Sequence, residues 1–403
     1  MSKIIFKRII EIEKELDENY KTYPNISLFS GIGALPIFYF LLYRLTNNSD
    51  HLEKLHNALD EIFIQLNEHE INVSYCTGIA GISYMLNFLV NYGVLESEQI
   101  NDSLDVMDEA IISYSLKHLN SIEDTDFLHG GLGVAHYLIE RIKNNSALIN
   151  KTVYIFEKLA HIAQEDLIKF EEVCSVKEFS DTNHKTNCGL AHGYIAYVII
   201  FSKFLEQFPN NMLILSVLNK IINCVLSFES FDTETVSRFP GIAVNKNLAD
   251  YNVPLAWCYG DQSIAYGFFK ASQVLRNKEL LTKSKEIIYK TLKRDSLQKS
   301  VSNVDLCDSS FCHGITSIAY LHKKGFQITN DQKCLDLYEY FTNELLVKGS
   351  GDFGLEGYQS FYKLKGFKKD FTFLNGLIGV GIFFIDYMLD NDEIKWEAIL
   401  LLD

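Results

Sequence analysis

The sequence predicts an all-α fold, an α/α toroid in which seven inner helices are ringed by seven outer helices. Three observations lead to this prediction: a glycine-centred phrase occurs seven times, a nearly all-apolar segment follows each copy, and amphipathic segments lie between copies. Strand signals are sparse, and the longest non-helical excursion is expected at Val236–Asn252, with Pro240 and Pro254 nearby. We expect one domain over residues 1–403, with this excursion as a small insertion.

The repeated phrase sets the period of the fold. Its first glycines are Gly31, Gly78, Gly130, Gly193, Gly260, Gly314 and Gly376. Their spacings of 47, 52, 63, 67, 54 and 62 residues are long enough for two helices and their loops. The third residue after each glycine is always small, which lets two helices approach closely. We expect each glycine to free the turn that enters a tightly packed inner helix.

The segments that follow the phrase differ from those between the copies. Ile37–Tyr43 and Tyr194–Phe201 are apolar nearly all round, as buried helices are. His51–Leu66 instead carries one apolar stripe with charges elsewhere, and Ser284–Leu292 and Leu335–Leu346 behave alike, which predicts outer helices. An open solenoid would have polar, exposed concave helices, so the pattern favours a closed ring.

Composition narrows the function classes. A net charge of −15 argues against nucleic acid as the main ligand, while an acidic rim would favour a basic peptide partner. Met1–Tyr20 alternates charged and apolar residues and does not resemble a signal peptide, so the eight cysteines are not expected to form disulfides. The apolar runs fall short of the ~20 residues of a membrane-spanning helix. We expect a soluble, cytoplasmic protein.

Cysteine and histidine concentrate just before the repeated glycines. The residues two before each glycine are Phe29, Cys76, Leu128, Ala191, Cys258, Cys312 and Leu374, and those one before it are Ser30, Thr77, His129, His192, Tyr259, His313 and Asn375. A toroid aims these loops at its own axis, so a site is expected at the mouth of the central cavity. Cys258 and Cys312 belong to consecutive repeats, and His313 follows directly. Two thiolates and one imidazole suit a tetrahedral zinc ion with one open position.

Other cysteines have simpler interpretations. A small buried core residue is the alternative for any cysteine, and we favour it for Cys76, Cys174, Cys224 and Cys334. Cys188 is also expected to pack. Cys307 lies five residues before Cys312, and the site would be structural if this thiol completed the coordination.

Three further residues are candidates for proton transfer. Asp126 lies four residues before Gly130, where it can orient an imidazole, hold a proton or cap a helix. His192 is the best general acid or base because imidazole titrates near neutrality, with a structural role as the alternative. His129 is more readily interpreted as structural. Tyr259 can donate a hydrogen bond from its phenol or simply fill space.

An ordered set of motifs resembles a known family. The motifs are Trp257-Cys258-Tyr259-Gly260, Cys312-His313-Gly314, Gly189-Leu-Ala-His192-Gly193 and the stretch from Asp126 to Gly133. Because these motifs occur in this order on a sevenfold repeat, the chain resembles the lanthionine synthetase C-like family, the lantibiotic cyclases, over nearly its whole length. Such proteins are zinc enzymes of antibiotic biosynthesis with an α/α toroid.

The resemblance implies a reaction and its partners. A dehydratase first converts Ser and Thr of a precursor peptide, made of leader and core, into dehydroalanine and dehydrobutyrine. A cysteine thiol of that peptide binds the zinc, is deprotonated and adds to the dehydroamino acid, which forms the thioether of lanthionine or methyllanthionine. His192 would protonate the enolate, and Asp126 would orient His192 or share in the proton transfer. A dehydratase and an exporter are the expected partners, which would place the protein peripherally at a membrane.

One position departs from the family, and other classes of protein remain open. The family usually carries Arg four residues before the first cysteine ligand, near the enolate oxygen, where this chain has Pro254. Tyr259 or a residue of a shifted loop would then stabilise that oxygen, or activity would be differently tuned. Pro254 also supports a non-catalytic zinc- or thiol-binding adaptor of the same fold. A protein prenyltransferase would alkylate thiols on a similar toroid, but it predicts six repeats and no adjacent Cys-His.

Overall fold

The structure is a computed structural model that describes residues 1–23, 25–175, 185–245, 248–350, 354–389 and 393–403. The α-helices of these residues are α1 (Ser2–Asn19), α2 (Leu35–Thr46), α3 (Asp50–Glu68), α4 (Ile79–Asn91), α5 (Ser97–His118), α6 (Gly131–Arg141), α7 (Ile149–Ser175), α8 (Tyr194–Gln207), α9 (Met212–Ser227), α10 (Asp261–Val274), α11 (Lys278–Thr291), α12 (Leu297–Ser300), α13 (Ile315–Thr329), α14 (Gln332–Lys348) and α15 (Leu377–Leu389). Short 3-10 helices are Tyr20–Thr22, Ile122–Thr125, Ser146–Leu148, Val304–Leu306, Gly354–Tyr358 and Trp396–Leu400. None of the described helices is long and apolar enough to cross a bilayer.

The predicted α/α toroid is confirmed. A helix with most of its residues buried follows each of the seven glycine phrases, and these inner helices are α2, α4, α6, α8, α10, α13 and α15. The outer helices are α1, α3, α5, α7, α9, α11 and α14, and the segments predicted as outer lie largely within α3, α11 and α14. α1 packs against α15 and so supplies the outer partner of the last inner helix.

Small antiparallel strands lie between the helices, in segments that lead to the glycine phrases. The end of the ring that carries these phrases is called the loop end here. The strands are β1 (Thr186–Asn187), β2 (Ile242–Asn245), β3 (Leu248–Ala249), β4 (Ser360–Tyr362) and β5 (Gly366–Lys368). β1 pairs with β2 through Asn187 and Ile242, and β2 pairs with β3. The predicted non-helical excursion is therefore present, although its residues 246 and 247 lie outside the described residues. The β4–β5 hairpin was not predicted.

Backbone hydrogen bonds close the ring at the residues two before each glycine. At five of these positions the N–H donates to the carbonyl of its counterpart in the next repeat: Phe29 to Cys76 (3.1 Å), Cys76 to Leu128 (2.7 Å), Ala191 to Cys258 (3.2 Å), Cys258 to Cys312 (3.3 Å) and Cys312 to Leu374 (3.0 Å). The Leu374 N–H donates to the Phe29 carbonyl at 3.1 Å, which joins the last repeat to the first. This bond distinguishes a closed toroid from an open solenoid.

The repeated glycines are needed for close packing rather than for an unusual backbone angle. Among the described phrase glycines, Gly260 alone has a positive φ, +116°, whereas Gly130 and Gly314 have φ of −124° and −98°. What all seven share is a carbonyl oxygen, six residues earlier, that would lie 2.2–2.6 Å from an added Cβ. The expectation that glycine frees the entry turn is therefore wrong except at Gly260, because any side chain would collide with the preceding loop.

The residue six before each glycine forms a second repeat. These residues are Asn25, Asn72, Asp124, Asn187, Pro254, Asp308 and Asp370. At five of them a side-chain oxygen accepts the backbone N–H two residues later, at 2.7–2.9 Å. Such Asx turns shape the loop before it packs against the glycine. Pro254 cannot form this turn.

Aromatic side chains and a late segment of the chain fill the axis of the ring. The ring of Phe29, fully buried, has its centroid 5.5–6.5 Å from those of Tyr75, Phe127, Trp257 and Phe373, which come from four other repeats. Tyr75 donates to the Ile399 carbonyl at 3.2 Å, and the Trp257 indole donates to that of Leu400 at 2.9 Å. The expected site therefore rests on a filled axis rather than at the mouth of an open central cavity.

Candidate metal centre and proton-transfer pair

Three predicted metal ligands come together at the loop end of the ring. The Cys258 and Cys312 sulfurs and one His313 ring nitrogen lie within 4.8 Å of one another. Cys258 is buried, Cys312 is half-buried and His313 is exposed, so the cluster opens to solvent on the histidine side. A thiol hydrogen bond from Cys312, followed by the nearby His313 and His192 charges, lowers the pKa of Cys258. Two adjacent thiols and an imidazole fit a tetrahedral zinc ion.

Asp308 contacts the imidazole of His313 and was not predicted from the sequence. Its buried Oδ2 lies 3.5 Å from His313 Nε2 and accepts the Phe361 N–H at 3.0 Å, while Oδ1 accepts the Ser310 N–H at 2.9 Å. The hydrogen bond with Asp308 raises the pKa of His313. With Nε2 turned to a carboxylate, Nδ1 is left to bind a metal, and carboxylates often orient metal-bound histidines in this way. The Asn/Asp repeat six residues before the glycines was the signal that could have found it.

Arg294 holds the loop before Cys258, where Pro254 replaces the Asx turn. Its Nη1 donates to the Val253 carbonyl at 3.0 Å and its Nη2 to the Ser300 carbonyl at 2.9 Å, and the Leu255 N–H also reaches Ser300, at 2.8 Å. The guanidinium is buried, which lowers the pKa of Arg294 to about 10. The first ligand loop is thus supported by a side chain from just after α11 instead of by its own turn.

The other cysteines whose side chains the structure describes are not part of this cluster. The Cys307 sulfur faces the Asp308 carbonyl oxygen at 3.7 Å, burial raises the pKa of this thiol to about 12, and the ligand group found in the described residues does not include it. Cys188 is fully buried, as predicted for packing, with its pKa also raised to about 12. Cys76, Cys224 and Cys334 are buried too, whereas the Cys174 side chain lies outside the part of the chain that the structure describes.

The predicted proton-transfer pair is assembled from two repeats. His192 Nδ1 makes a short contact with Asp126 Oδ2, while Oδ1 of the same carboxylate accepts the His129 N–H at 2.7 Å. Asp126 therefore contacts the imidazole and also accepts the N–H of a turn that precedes α6, whose N-cap residue is Gly130. The hydrogen bond to Asp126 raises the pKa of His192, whose side chain is 37% exposed. Its Nε2 is the ring nitrogen left free of this contact.

Tyr259 packs beside the pair and keeps its phenolic hydrogen. Its ring lies against Gly189, where an added Cβ would come within 2.6 Å of ring carbon Cδ1, and its centroid is 6.4 Å from that of His192. Tyr259 Oη accepts the Asn187 amide at 3.2 Å, which leaves the O–H able to donate. Burial raises the pKa of Tyr259, so the phenol stays protonated near neutrality.

The two groups of residues are joined through the backbone. Leu190 and Ala191, just before His192, both donate their N–H groups to the Cys258 carbonyl, at 3.0 and 3.2 Å. The imidazole is therefore fixed relative to the first thiol. A pocket of about 220 Å³ lies next to the pair and is lined by Asp126, His192 and Lys185 among others.

Fold and site together define a class: a closed helical toroid with a Cys-Cys-His cluster and a His–Asp pair at one end. Residues 22–401 match the model of the lanthionine synthetase C-like protein family, and the chain belongs to this family. Among solved structures, nisin cyclase is similar over 99% of this chain and 96% of its own, with 17% sequence identity and a TM-score of 0.71. That likeness concerns the fold.

Other comparisons add little. A glycosyl hydrolase family 88 protein from Bacteroides vulgatus aligns with 96% of this chain and 98% of its own, at 11% identity and a TM-score of 0.43, which carries no functional argument. No curated protein sequence matches the chain significantly. The family and the fold support a function of the lanthionine-cyclase type.

Proposed function

We propose that this protein is a zinc-dependent lanthionine cyclase that adds cysteine thiols of a dehydrated precursor peptide to dehydroalanine and dehydrobutyrine. The observation that carries the proposal is the Cys258–Cys312–His313 cluster, tied by backbone hydrogen bonds to the loop of the Asp126–His192 pair. Family membership and the likeness to a protein named for cyclising nisin support it. A dehydratase would supply the substrate, because the reaction consumes dehydroamino acids.

Cys258, Cys312 and His313 would hold the zinc ion. When bound, zinc lowers the pKa of a coordinated substrate thiol, so that its thiolate is available near neutral pH. Asp308 would keep the His313 ring in one orientation, and the two protein thiolates would keep the substrate sulfur electron-rich.

His192 would complete the addition. The substrate sulfur forms a bond to the β-carbon, the electron pair of the C=C bond moves onto the α-carbon and carbonyl as an enolate, and the α-carbon then takes a proton. Asp126 occupies Nδ1 of His192, so Nε2 would deliver that proton. The pKa of His192, raised by Asp126, keeps more of the imidazole protonated at neutral pH.

The enolate oxygen needs a hydrogen-bond donor, since Pro254 stands where the family usually has Arg. Tyr259 would serve, because its oxygen already accepts from Asn187 and its O–H is left to donate. This assignment leaves Pro254 with a purely structural role.

Metal analysis tests the ligand assignment. We expect about one zinc per purified chain, and Cys258→Ala or Cys312→Ala should lose most of it because two ligands hold a divalent ion far more weakly than three. Cys307→Ser is the control and should keep its zinc, since that thiol lies outside the cluster. Full zinc occupancy in either alanine variant would refute the assignment, and zinc loss in Cys307→Ser would make the site closed and structural.

The role of His192 is tested separately from the metal. His192→Asn should retain zinc, because the three ligands are complete without it, and should cyclise ~10²–10⁴-fold more slowly for want of a general acid. The measurement is loss of free thiols from a dehydrated, cysteine-containing precursor, with zinc content determined on the same sample. Zinc loss would make His192 a ligand, whereas wild-type turnover would make it a packing residue.

Asp126→Asn should move the pH dependence of that reaction. The carboxylate raises the pKa of His192, so its removal should lower the pH above which the rate declines as the imidazole loses its proton. The rate–pH profile of the variant, compared with wild type, checks this. An unchanged alkaline limb would mean that His192 is not the titrating acid.

The alternative of a non-catalytic zinc- or thiol-binding adaptor has one observation in its favour, the absence of the family Arg at Pro254. The same assay separates the two functions. An adaptor would bind zinc and the dehydrated precursor yet leave its free thiols unchanged over time, whereas a cyclase would consume them.

A further inference from the structure

A groove of about 780 Å³ lies between the loop of residues 230–238 and the C-terminal half of α11. Large apolar side chains line it and are exposed to an unusual degree: Phe231 is 75% exposed, and Val236 and Tyr289 are each 45% exposed. Most other large apolar side chains of this protein are buried in one continuous core. Apolar groups that remain accessible within a concave surface are typical of a binding site.

Two lysines of the same groove lack acidic partners. Lys290 and Lys293 line it, and within the described residues neither has a carboxylate oxygen within the 4.0 Å of an ion pair. Arg294 also lines the groove, but its buried guanidinium donates to three backbone carbonyls. In a chain with a net charge of −15, two neighbouring lysines without acidic partners are a local exception.

The lining carries two carboxylates, Asp232 and Glu286, against four cations. Glu286 lies 3.2 Å from Lys283 and 3.8 Å from Arg238, and both of these cations also pair with Glu229. The groove therefore presents Lys290 and Lys293 as unpaired cations beside exposed rings, an arrangement that binds a carboxylate next to a bulky apolar group.

The groove is on the same end of the ring as the metal cluster. α10 begins directly after Gly260 and runs away from the site, and α11 returns in the opposite direction, so the last turn of α11 lies near the ligand loops. Arg294 makes the connection directly, because its Nη1 donates to the Val253 carbonyl, five residues before Cys258.

We propose that this groove binds an acidic segment of the substrate peptide that carries a bulky apolar side chain beside its carboxylates. The inference rests on the proposed function, which requires a peptide long enough to reach beyond the reacting cysteine. The net negative charge of the protein would repel such a segment elsewhere, so the groove gives it one preferred place and direction. An anionic membrane would meet the same repulsion over a wider area, which favours a short peptide segment.

Fluorescence anisotropy with the zinc-loaded protein tests this. The probe is a labelled decapeptide that alternates Asp or Glu with Leu and Phe, and its partner has Asn and Gln at the acidic positions. We expect the acidic peptide to bind at least ~10-fold more tightly than the amide peptide, and the Lys290→Ala/Lys293→Ala double variant to lose ~5–10-fold in affinity, as a pair of partly exposed ion pairs does. Phe231→Ala should lose ~3–10-fold through apolar contact.

Matched controls lie on other outer helices. Lys220→Ala on α9 removes an exposed lysine, and Tyr154→Ala on α7 removes a ring that is 58% exposed; both should bind as wild type. Binding that depends on Lys290 and Lys293 in a protein that consumes no thiols would support the groove and refute the cyclase.

Several results would overturn the inference. Equal affinity of the double variant and wild type, or of the acidic and amide peptides, would show that the groove does not recognise carboxylates of a peptide. Binding to phosphatidylserine vesicles that depends on Lys290 and Lys293, without binding of the peptide, would assign the surface to an anionic membrane instead.

Discussion

The loops that present Cys258 and Cys312 occupy the same position in consecutive repeats, yet different chemistry holds them. The Cys312 loop is shaped by Asp308, whose one carboxylate oxygen forms the Asx turn and whose other oxygen faces the ligand His313. The Cys258 loop has Pro254 at that position and depends on Arg294, which reaches it from just after α11. In the Cys312 loop, one side chain both forms the turn and faces the ligand. In the Cys258 loop, the supporting side chain comes from outside the loop.

The two loops should therefore respond differently to the loss of the side chain that supports them. Loss of Asp308 affects a ligand directly, but Asn25, Asn72 and Asn187 show in three other repeats that an Asn suffices for the turn itself. Loss of Arg294 removes the side-chain donor to the Val253, Lys299 and Ser300 carbonyls, of which Ser300 keeps the Leu255 N–H, so it should act first on stability and only then on the metal.

Arg294→Met is therefore the change with the largest expected effect on stability. Methionine keeps the apolar stem but cannot donate to the Val253, Lys299 and Ser300 carbonyls, and we expect the free energy of unfolding to fall by about 3 kcal/mol. Urea denaturation of the zinc-free protein measures this. Arg44→Met is the control, because Arg44 is 40% exposed and pairs with Glu393 at the surface, and should change stability by less than about 1 kcal/mol.

If Arg294→Met were as stable as wild type, the Cys258 loop would not depend on this side chain. The Cys258 and Cys312 loops would then differ in sequence but not in how they are stabilised. Zinc content should be measured alongside, since a loosened Val253–Cys258 segment is expected to lower metal affinity as well.

Asp308→Asn should separate the two roles of Asp308. The Asn oxygen can still accept the Ser310 N–H, but its amide group cannot accept the Phe361 N–H that Oδ2 accepts at 3.0 Å, so the free energy of unfolding should fall by about 1–3 kcal/mol. The loss of the charge beside His313 should weaken zinc binding ~10–100-fold. Competition with a zinc chelator measures the affinity. Asp370→Asn, at the same register in the next repeat but beside no metal ligand, should leave zinc affinity unchanged.

Equal zinc affinity in Asp308→Asn and wild type would mean that the 3.5 Å contact does not orient His313. A fall in affinity for both Asp308→Asn and Asp370→Asn would point to a general effect of the turns on the ring.

The sequence predicted the fold and the clustering of ligands because both follow from the repeat. Seven aligned glycines place Cys258, Cys312 and His313 on neighbouring loops, and the closing bond from Leu374 to Phe29 agrees with the predicted ring. The Asn/Asp register and Asp308 were not predicted, because the Cys and His pattern lies one and two residues before each glycine and the Asn/Asp register lies six residues before it. Arg294 could not be found in this way, because it lies 36 residues after Cys258 and its partners are backbone carbonyls, which no side-chain pattern reveals.

The seventh outer helix and the filled axis show the same limit. α1 precedes the first glycine phrase, so the repeat did not mark it, and only its packing against α15 identifies it as an outer helix. The axis is filled by Phe29 and residues 396–403. Tyr75 and Trp257 donate hydrogen bonds to the carbonyls of Ile399 and Leu400 in this segment. Contacts between such distant parts of the chain depend on the ring already being closed.

The smallest effect is expected for Pro254→Asn, which gives the Cys258 loop the turn residue of the other repeats. Because Arg294 already holds this loop, the free energy of unfolding should change by less than about 1 kcal/mol, and zinc content should stay the same. In the Arg294→Met background, however, the new Asx turn should recover part of the lost stability, since an independent support then replaces the missing one. A double-mutant cycle over Pro254→Asn and Arg294→Met measures this coupling by urea denaturation, and an interaction energy of about 1 kcal/mol is expected. Strictly additive effects would mean that the two supports act on separate parts of the loop, and that Arg294 is not what allows a proline at this position.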